Sequence, residues 1–262
     1  MPETLASLEG LTDDLHIIDS FSNDRTLEIA QSFGAQVVQH PFENYGAQRN
    51  WAIDNAPVRY AWQLHLDADE RLTEQLRGQI AALDEGLPFN GYFVPRVLHF
   101  MGRAIRHGGM CPTWHMRLFR RGLGRCETRR YDQHFYCEGP SAQLDGFMID
   151  EIRMPLTEWT ARHNRWADAE VSELLDSGSA GRVQPNALGN PVEKKRFLRK
   201  VYNDTPLFIR PFTLFFYRYF IRLGFLDGVE GLIFFVLQTF WFRFLIDAKI
   251  YELRKQQRSP NP

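Results

Sequence analysis

Strand-like and helical stretches alternate through the first third of this 262-residue chain, a pattern that restricts it to an α/β layer with a mostly parallel sheet flanked by helices. His16-Ile17-Ile18 reads as a short strand ending at Asp19, and residues 26–33 as a helix with Leu27, Ile29, Ala30 and Phe33 apolar, stopped by Gly34. Residues 35–39 form a second strand, residues 47–56 a helix that Pro57 ends, and residues 61–66 a third strand. Past residue 91 the pattern loosens, leaving Tyr92-Phe93-Val94 and residues 116–119 as strand candidates and residues 159–175 as a helix. Residues 177–191, rich in Ser, Gly, Asn and Pro, read as a linker.

The third strand runs into Asp67-Ala68-Asp69-Glu70. On an extended segment side chains two apart share a face, so Asp67 and Asp69 present two hard oxygen ligands together. A small divalent cation is held by one or two such carboxylates plus substrate phosphate oxygens. The same residues suit helix capping, because residues 70–83 carry Leu72, Leu76, Ile80 and Leu83 on one helical stripe. The four residues alone leave both readings open.

Charge excludes some partners. Lys and Arg number 31 against 32 Asp and Glu, so no global basic field points to nucleic acid. The three cysteines, Cys111, Cys126 and Cys137, are odd in number and form no Cys-x-x-Cys pair, which fits a reducing compartment. The first fifteen residues hold Glu3, Glu9, Asp13 and Asp14 and no basic residue, unlike a secretory signal or transit peptide.

Composition shifts at the other end. Residues 206–251 are crowded with Phe, Tyr and Trp, yet Arg218, Arg222, Asp227, Glu230 and Arg243 leave residues 231–242 as the longest uncharged stretch. That is short of the ~20 residues of a simple membrane span. A pair of amphipathic helices broken near residues 224–228 is expected, with aromatics in the interface and Lys194, Lys195, Arg196, Arg199, Lys200 and Arg210 facing anionic head groups. The alternative is a helical hairpin packed on the core or in a dimer. Composition thus suggests one domain over 1–205, with a regular βα half to about 90 and a looser half over about 91–175, and a membrane-associating segment over 206–256.

With the acidic cluster third in a βα series, the chain resembles glycosyltransferase family 2, inverting sugar transferases of GT-A fold. Residues 17–26, Ile-Ile-Asp-Ser-Phe-Ser-Asn-Asp-Arg-Thr, resemble the family's strand followed by Asp-Ser-x-Ser-x-Asp-x-Thr. Asn44-Tyr45-Gly46-Ala47-Gln48-Arg49-Asn50 resembles its helix opening with a basic residue, and Asp67-Ala68-Asp69-Glu70 its metal motif. Arg106-His107-Gly108-Gly109, Leu118-Phe119-Arg120-Arg121 and Gly224-Phe225-Leu226-Asp227-Gly228 are similar to the bacterial branch that builds lipopolysaccharide cores and exopolysaccharides. The resemblance favours the metal reading of Asp67 and Asp69.

What it implies can be placed residue by residue. Asp19 contacts the donor nucleoside, Arg49 pairs with the diphosphate, Asp67 supports ribose and metal, and Asp69 binds the metal, Mg²⁺ or Mn²⁺. The donor is a nucleotide sugar, most simply a UDP-hexose, and the acceptor a lipid-linked or lipopolysaccharide-core saccharide. The site would lie at the cytoplasmic face of the bacterial inner membrane. Asp132 is the expected base, with Glu127, Glu138 and His134 in reserve, and Trp114 and Arg117 line the acceptor pocket. Many relatives show His-Glu where this chain has Asp132-Gln133. They also open with a hydrophobic strand ending in Asn-Glu before a helix like residues 2–11; none is present here, so either translation begins upstream of Met1 or part of the donor site is lost. A non-catalytic membrane scaffold and, more weakly, a phosphohydrolase with Asp67 as nucleophile are the rival functions.

Overall fold

The computed structural model describes residues 1–84, 86–129, 131–175 and 182–258, so residues 177–181 of the expected linker lie outside it. The chain divides into two compact units, one of residues 1–97, 112–128 and 133–151, the other of residues 98–111, 129–132 and 152–262. Residues 152–204 group with the aromatic tail in the second unit.

Along the first 152 residues run α1 (Pro2–Ala6), β1 (His16–Asp19), α2 (Thr26–Ser32), β2 (Gln36–Gln39), α3 (Tyr45–Asn55), β3 (Trp62–Leu64), β4 (Glu70–Leu72), α4 (Glu74–Ala81), β5 (Gly91–Phe100), β6 (Arg103–Ala104), β7 (Thr113–Arg120), β8 (Gly124–Cys126), β9 (Phe135–Cys137), β10 (Ser141–Gln143) and β11 (Met148–Ile152). β1 and β2 form a parallel pair, and β3-β7-β5-β11-β4 the main path of a larger sheet. The α/β class is as expected; β1 pairs with β2 and β10 with β5 in parallel, while β3–β7, β5–β7 and β4–β11 are antiparallel. Among the described residues β1 pairs only with β2 and β3 only with β7, leaving each one free edge.

The largest departure from the expected elements follows the acidic cluster. Residues 70–72 are a strand, in register Glu70↔Asp150, Arg71↔Ile149 and Leu72↔Met148, and not the start of a helix. Thr73 supplies the real cap, its hydroxyl accepting from the Leu76 N–H at 3.4 Å and the Phe147 N–H at 3.1 Å. Leu72 and Leu76 still reach one core with Tyr92, Val94, Leu118 and Met148, so the helical stripe was a coincidence of spacing across a strand and a helix. The capping reading of Asp67 and Asp69 falls with it.

The second unit holds α5 (Leu156–Leu175), α6 (Pro191–Asp204), α7 (Ile209–Phe216), α8 (Gly228–Phe235) and α9 (Phe242–Arg258). Asn190 opens α6 with a full capping box to Glu193. The helix begun by α7 widens over Tyr217–Ile221 and breaks before α8, where Leu223 and Gly228 take φ of 59° and 71°. The break near residues 224–228 is as expected. One face of the tail is core: Phe234 and Phe235 pack with Phe100, Ile105 and Trp159, and Phe242, Ile246 and Ile250 with Ala167 and Val171 of α5. The 35-residue helical run Gly224–Arg258 is long and apolar enough to cross a membrane by length and composition, and 33% of its most apolar window is buried within the protein.

Several tail cations do not face outward as expected. Arg210 is buried against Asp247, donating from Nε at 2.8 Å and Nη2 at 2.5 Å, while the other Asp247 oxygen accepts from the Phe208 N–H at 2.7 Å. Lys195, Arg196 and Arg199 are likewise engaged by Asp132. The Asp247 clip holds Phe208 at its left-handed φ of 67°, a conformation a bulky residue resists. Asp247→Ala strands a buried guanidinium, so urea titration is expected to show a loss of about 3–5 kcal/mol; a loss within experimental error would mean the clip is dispensable.

Candidate functional site

The site is built around α3. Asn44 caps it, accepting from the Ala47 N–H at 2.9 Å, which starts the helix two residues earlier than periodicity suggests. A Cβ on Gly46 would collide with the Glu127 carbonyl oxygen, so glycine is what lets α3 lie against β8. Gln48 reaches the ends of two strands, donating to Ser20 Oγ at 3.2 Å and meeting His40 Nδ1 at 2.8 Å. Asn50 exchanges two 2.9 Å hydrogen bonds with the backbone of Cys126. The Asn44–Asn50 motif is therefore a clamp across β1, β2 and β8, and it aims Arg49 at the end of β3.

There Arg49 Nη2 donates to both oxygens of Asp67, at 2.7 and 2.9 Å, and Arg117 Nη2 to Asp67 Oδ2 at 2.8 Å. Arg117 also donates to Glu70 Oε1 at 2.5 Å, and the Asp67 N–H donates to Glu70 Oε2 at 2.9 Å. The Glu70 N–H bonds back to the Asp67 carbonyl at 3.0 Å, closing Asp67–Glu70 into a tight turn. Burial works against the Asp67 charge, but the two arginines outweigh it and hold its carboxyl well below the usual range. Glu70 is buried more deeply and next to Asp67, and its carboxyl is raised despite Arg117. His65, stacked on Phe119 and tilted against Phe135, is pushed down to about 3 by burial and by Arg117 and Arg49, so it is a neutral spacer.

Asp69 is different. It is exposed at the tip of the turn, and among the described residues its carboxylate has no hydrogen bond or ion pair. Beside it in the same unit stands Asp150 on β11, registered opposite Glu70 and paired with Arg96 at 2.9 Å. Burial raises the Asp150 carboxyl, Arg96 opposes this, and the charges of Asp69 and Asp67 raise it further. Three carboxylates, Asp67, Glu70 and Asp150, thus pair with three guanidinia, Arg49, Arg96 and Arg117, and Asp69 stands beside them outside the pairing. Among the described residues no group of three or more His, Cys, Asp or Glu could itself hold a metal ion. A cation here needs substrate oxygens to complete its shell. The open Asp69 carboxylate and the 40%-exposed Asp67 side chain fit a magnesium-like ion arriving with a diphosphate.

Asp19 lies at the carboxyl end of β1, where ligands sit in open α/β sheets. Burial disfavours its charge, yet hydrogen bonds from Ser22 and Gln39 leave its pKa below the ordinary value. Trp114 is half-buried opposite Pro95 on β5. Arg117, expected in an acceptor pocket, is instead buried in the acidic turn. Asp132 belongs to the second unit, in a left-handed conformation, with Arg199 at 2.7 Å, Lys195 at 2.9 Å and Arg196 at 3.4 Å from its carboxylate. All three of these cations come from α6, so Asp132 ties the residue 131–132 segment to that helix. Of the reserves, Glu127 is buried and accepts from the His134 N–H at 3.1 Å, and Glu138 is exposed. Asp150 was missed because nothing near it in sequence marks it; only strand register brings it to the turn.

Residues 1–142 match the model of glycosyl transferase family 2, more than half of the chain, and the chain belongs to that family. It is a glycosyltransferase. Among its relatives is the lipopolysaccharide core biosynthesis glycosyltransferase LpsC of Rhizobium meliloti, 24% identical over 95% of this chain and 86% of that protein. Uncharacterized glycosyltransferases of Rickettsia bellii and Rickettsia conorii are 36% and 38% identical over 74 residues, 28% of this chain and only 24% and 26% of their own lengths.

Asp67 gives stability that is complete above its unfolded pKa of about 3.9 and is lost as pH falls. Arg117→Met removes a shared counterion of Asp67 and Glu70 and is expected to cost about 3–5 kcal/mol at neutral pH. Protonating Glu70 relieves part of that penalty, so chemical denaturation should show the deficit shrinking on acidification. A deficit that grows on acidification would contradict this electrostatic balance.

Proposed function

We propose that this chain is a metal-dependent inverting hexosyltransferase that moves a sugar from a nucleotide donor, most simply a UDP-hexose, to a lipid-linked or lipopolysaccharide-core saccharide. The observation that carries the reading is the unengaged Asp69 carboxylate on the turn at the end of β3, beside an Asp67 already balanced by Arg49 and Arg117. Asp67 and Asp69 would hold Mg²⁺ or Mn²⁺, which when bound neutralises charge on the leaving diphosphate. Arg49, with its planar fork, would shift part of its bonding from Asp67 to a diphosphate oxygen. Asp19 would orient the nucleoside.

Inversion needs a single displacement: the acceptor oxygen bonds to the anomeric carbon, the bond to the diphosphate oxygen breaks, and the acceptor proton passes to a carboxylate. We assign that proton to Asp150, which stands beside the turn in the same unit and is made more basic by burial and by Asp69. Trp114 is kept as an acceptor-side residue. The relation to LpsC and the exposed aromatic tail support work at the cytoplasmic face of the inner membrane, held peripherally. A non-catalytic scaffold draws on the free edges of β1 and β3; it is excluded if the chain binds and turns over a sugar nucleotide.

Two sets of variants test the assignments in a nucleotide-release assay. Asp69→Asn is expected to abolish transfer with the thermal midpoint unchanged, and full activity with Mg²⁺ or Mn²⁺ would remove Asp69 from the site. Asp150→Asn is expected to lower kcat by about a hundredfold or more, whereas Asp132→Asn should chiefly lower stability. The reverse ranking would return the base to Asp132.

A further inference from the structure

The motif Arg106–Gly109 and the motif Gly224–Gly228, far apart in sequence, are structural partners within the second unit. The His107 N–H donates to Asp227 Oδ2 at 2.9 Å, and His107 Nδ1 meets Asp227 Oδ1 at 2.6 Å. The Gly108 N–H donates to the Arg222 carbonyl at 2.8 Å, and a Cβ on Gly108 would strike the Phe235 ring beneath it. The Arg222 side chain lies along Gly109, where a Cβ would meet its Nε at 3.7 Å. Arg218, one turn earlier, touches the Met110 sulfur.

The charges around this junction are unbalanced. Arg103, Arg106, Arg218 and Arg222 face two carboxylates, and both are taken: Asp227 by His107 and Glu230 by Arg103. Among the described residues Arg106, Arg218 and Arg222 have no carboxylate within ion-pair distance. Burial, with Arg243 and Arg222 nearby, pushes the Arg218 pKa down to about 10, the mark of a cation held without a counterion. Around it the surface is apolar, with Phe216 56%, Phe220 48%, Ile221 60%, Phe225 45%, Leu226 49% and Val229 67% exposed. A water-facing surface gains nothing from such a cluster. A bilayer supplies both missing partners, acyl chains for the aromatics and phosphate for the arginines.

The geometry points to a phospholipid-phosphate site formed by Arg218 and Arg222 beside the residue 106–110 loop, with Phe216, Phe220, Phe225 and Leu226 entering the bilayer of an anionic membrane. It rests on the peripheral membrane reading above and replaces most of the cations first expected there, since Lys195, Arg196, Arg199 and Arg210 are spent on internal carboxylates. Guanidinium forks suit phosphate, and two unpaired ones give selectivity for an anionic head group over a zwitterionic one.

The test is co-sedimentation of the full chain with vesicles of phosphatidylcholine alone and of phosphatidylcholine mixed with phosphatidylglycerol. Wild type is expected to prefer the mixed vesicles, and Arg218→Gln/Arg222→Gln to lose about tenfold or more of that affinity. Lys194→Gln/Lys200→Gln, at exposed positions of α6, should lose much less, and the thermal midpoint of each variant shows that it is folded. Phe225→Ser/Leu226→Ser should weaken binding to both vesicles. Equal losses in the two charge variants, or none in Arg218→Gln/Arg222→Gln, would overturn the site while leaving membrane docking in place. No binding of wild type to either vesicle would overturn both.

Discussion

The Asp67 carboxylate is the point on which the first unit turns. It joins Arg49, 18 residues before it, to Arg117, 50 residues after it, so one side chain ties α3, β3 and β7 together. A half-buried anion is costly without partners, and here both partners are guanidinia held by other elements. Arg117 is shared onward with Glu70, and Glu70 bonds back to the Asp67 N–H, so the turn that presents Asp69 is closed by the same charges. The arrangement fixes the Arg49 and Arg117 guanidinia at the end of β3 through their own carboxylate partners. Under the proposed function, a diphosphate at this turn would meet arginines already oriented, which is how a binding site lowers the cost of ordering its own groups.

The second unit follows a different rule. Its helices are pinned from inside by buried pairs, Arg210 with Asp247 and Arg199 and Arg243 with Glu170, while aromatic residues occupy both faces of the tail. The inward aromatics build two small cores; the outward ones sit beside arginines that the interior leaves unmatched. Composition alone could not separate the two populations. A cation counted in sequence is available to a membrane only if no carboxylate inside the fold has claimed it.

Periodicity and turn chemistry made the early elements legible: β1, α2, β2, α3 and β3 lie within a residue or two of where apolar spacing, Gly34 and Pro57 place them. Local spacing misled at residues 70–83, because Leu72, Leu76 and Ile80 fit a helical stripe while Leu72 in fact belongs to a strand whose pairing partner lies 76 residues away. Family resemblance pointed to Asp67, Asp69 and Arg49, and the structure brings Arg49 to Asp67 through the capped start of α3. The meeting of Asp150 and Arg117 with the acidic turn was not legible, since it depends on register across β4, β7 and β11. The cationic setting of Asp132 was not legible for a related reason: its three cationic neighbours come from α6, more than sixty residues on.

The central claim is that the turn at the end of β3 binds metal and donor diphosphate together, each completing the other's site. Isothermal titration of UDP into the wild-type chain, with and without Mn²⁺, tests it most directly, because linkage makes the coupling reciprocal. The account predicts tighter UDP binding with the ion, and tighter Mn²⁺ binding with UDP by the same factor. UDP affinity that is identical with and without a divalent cation would contradict it.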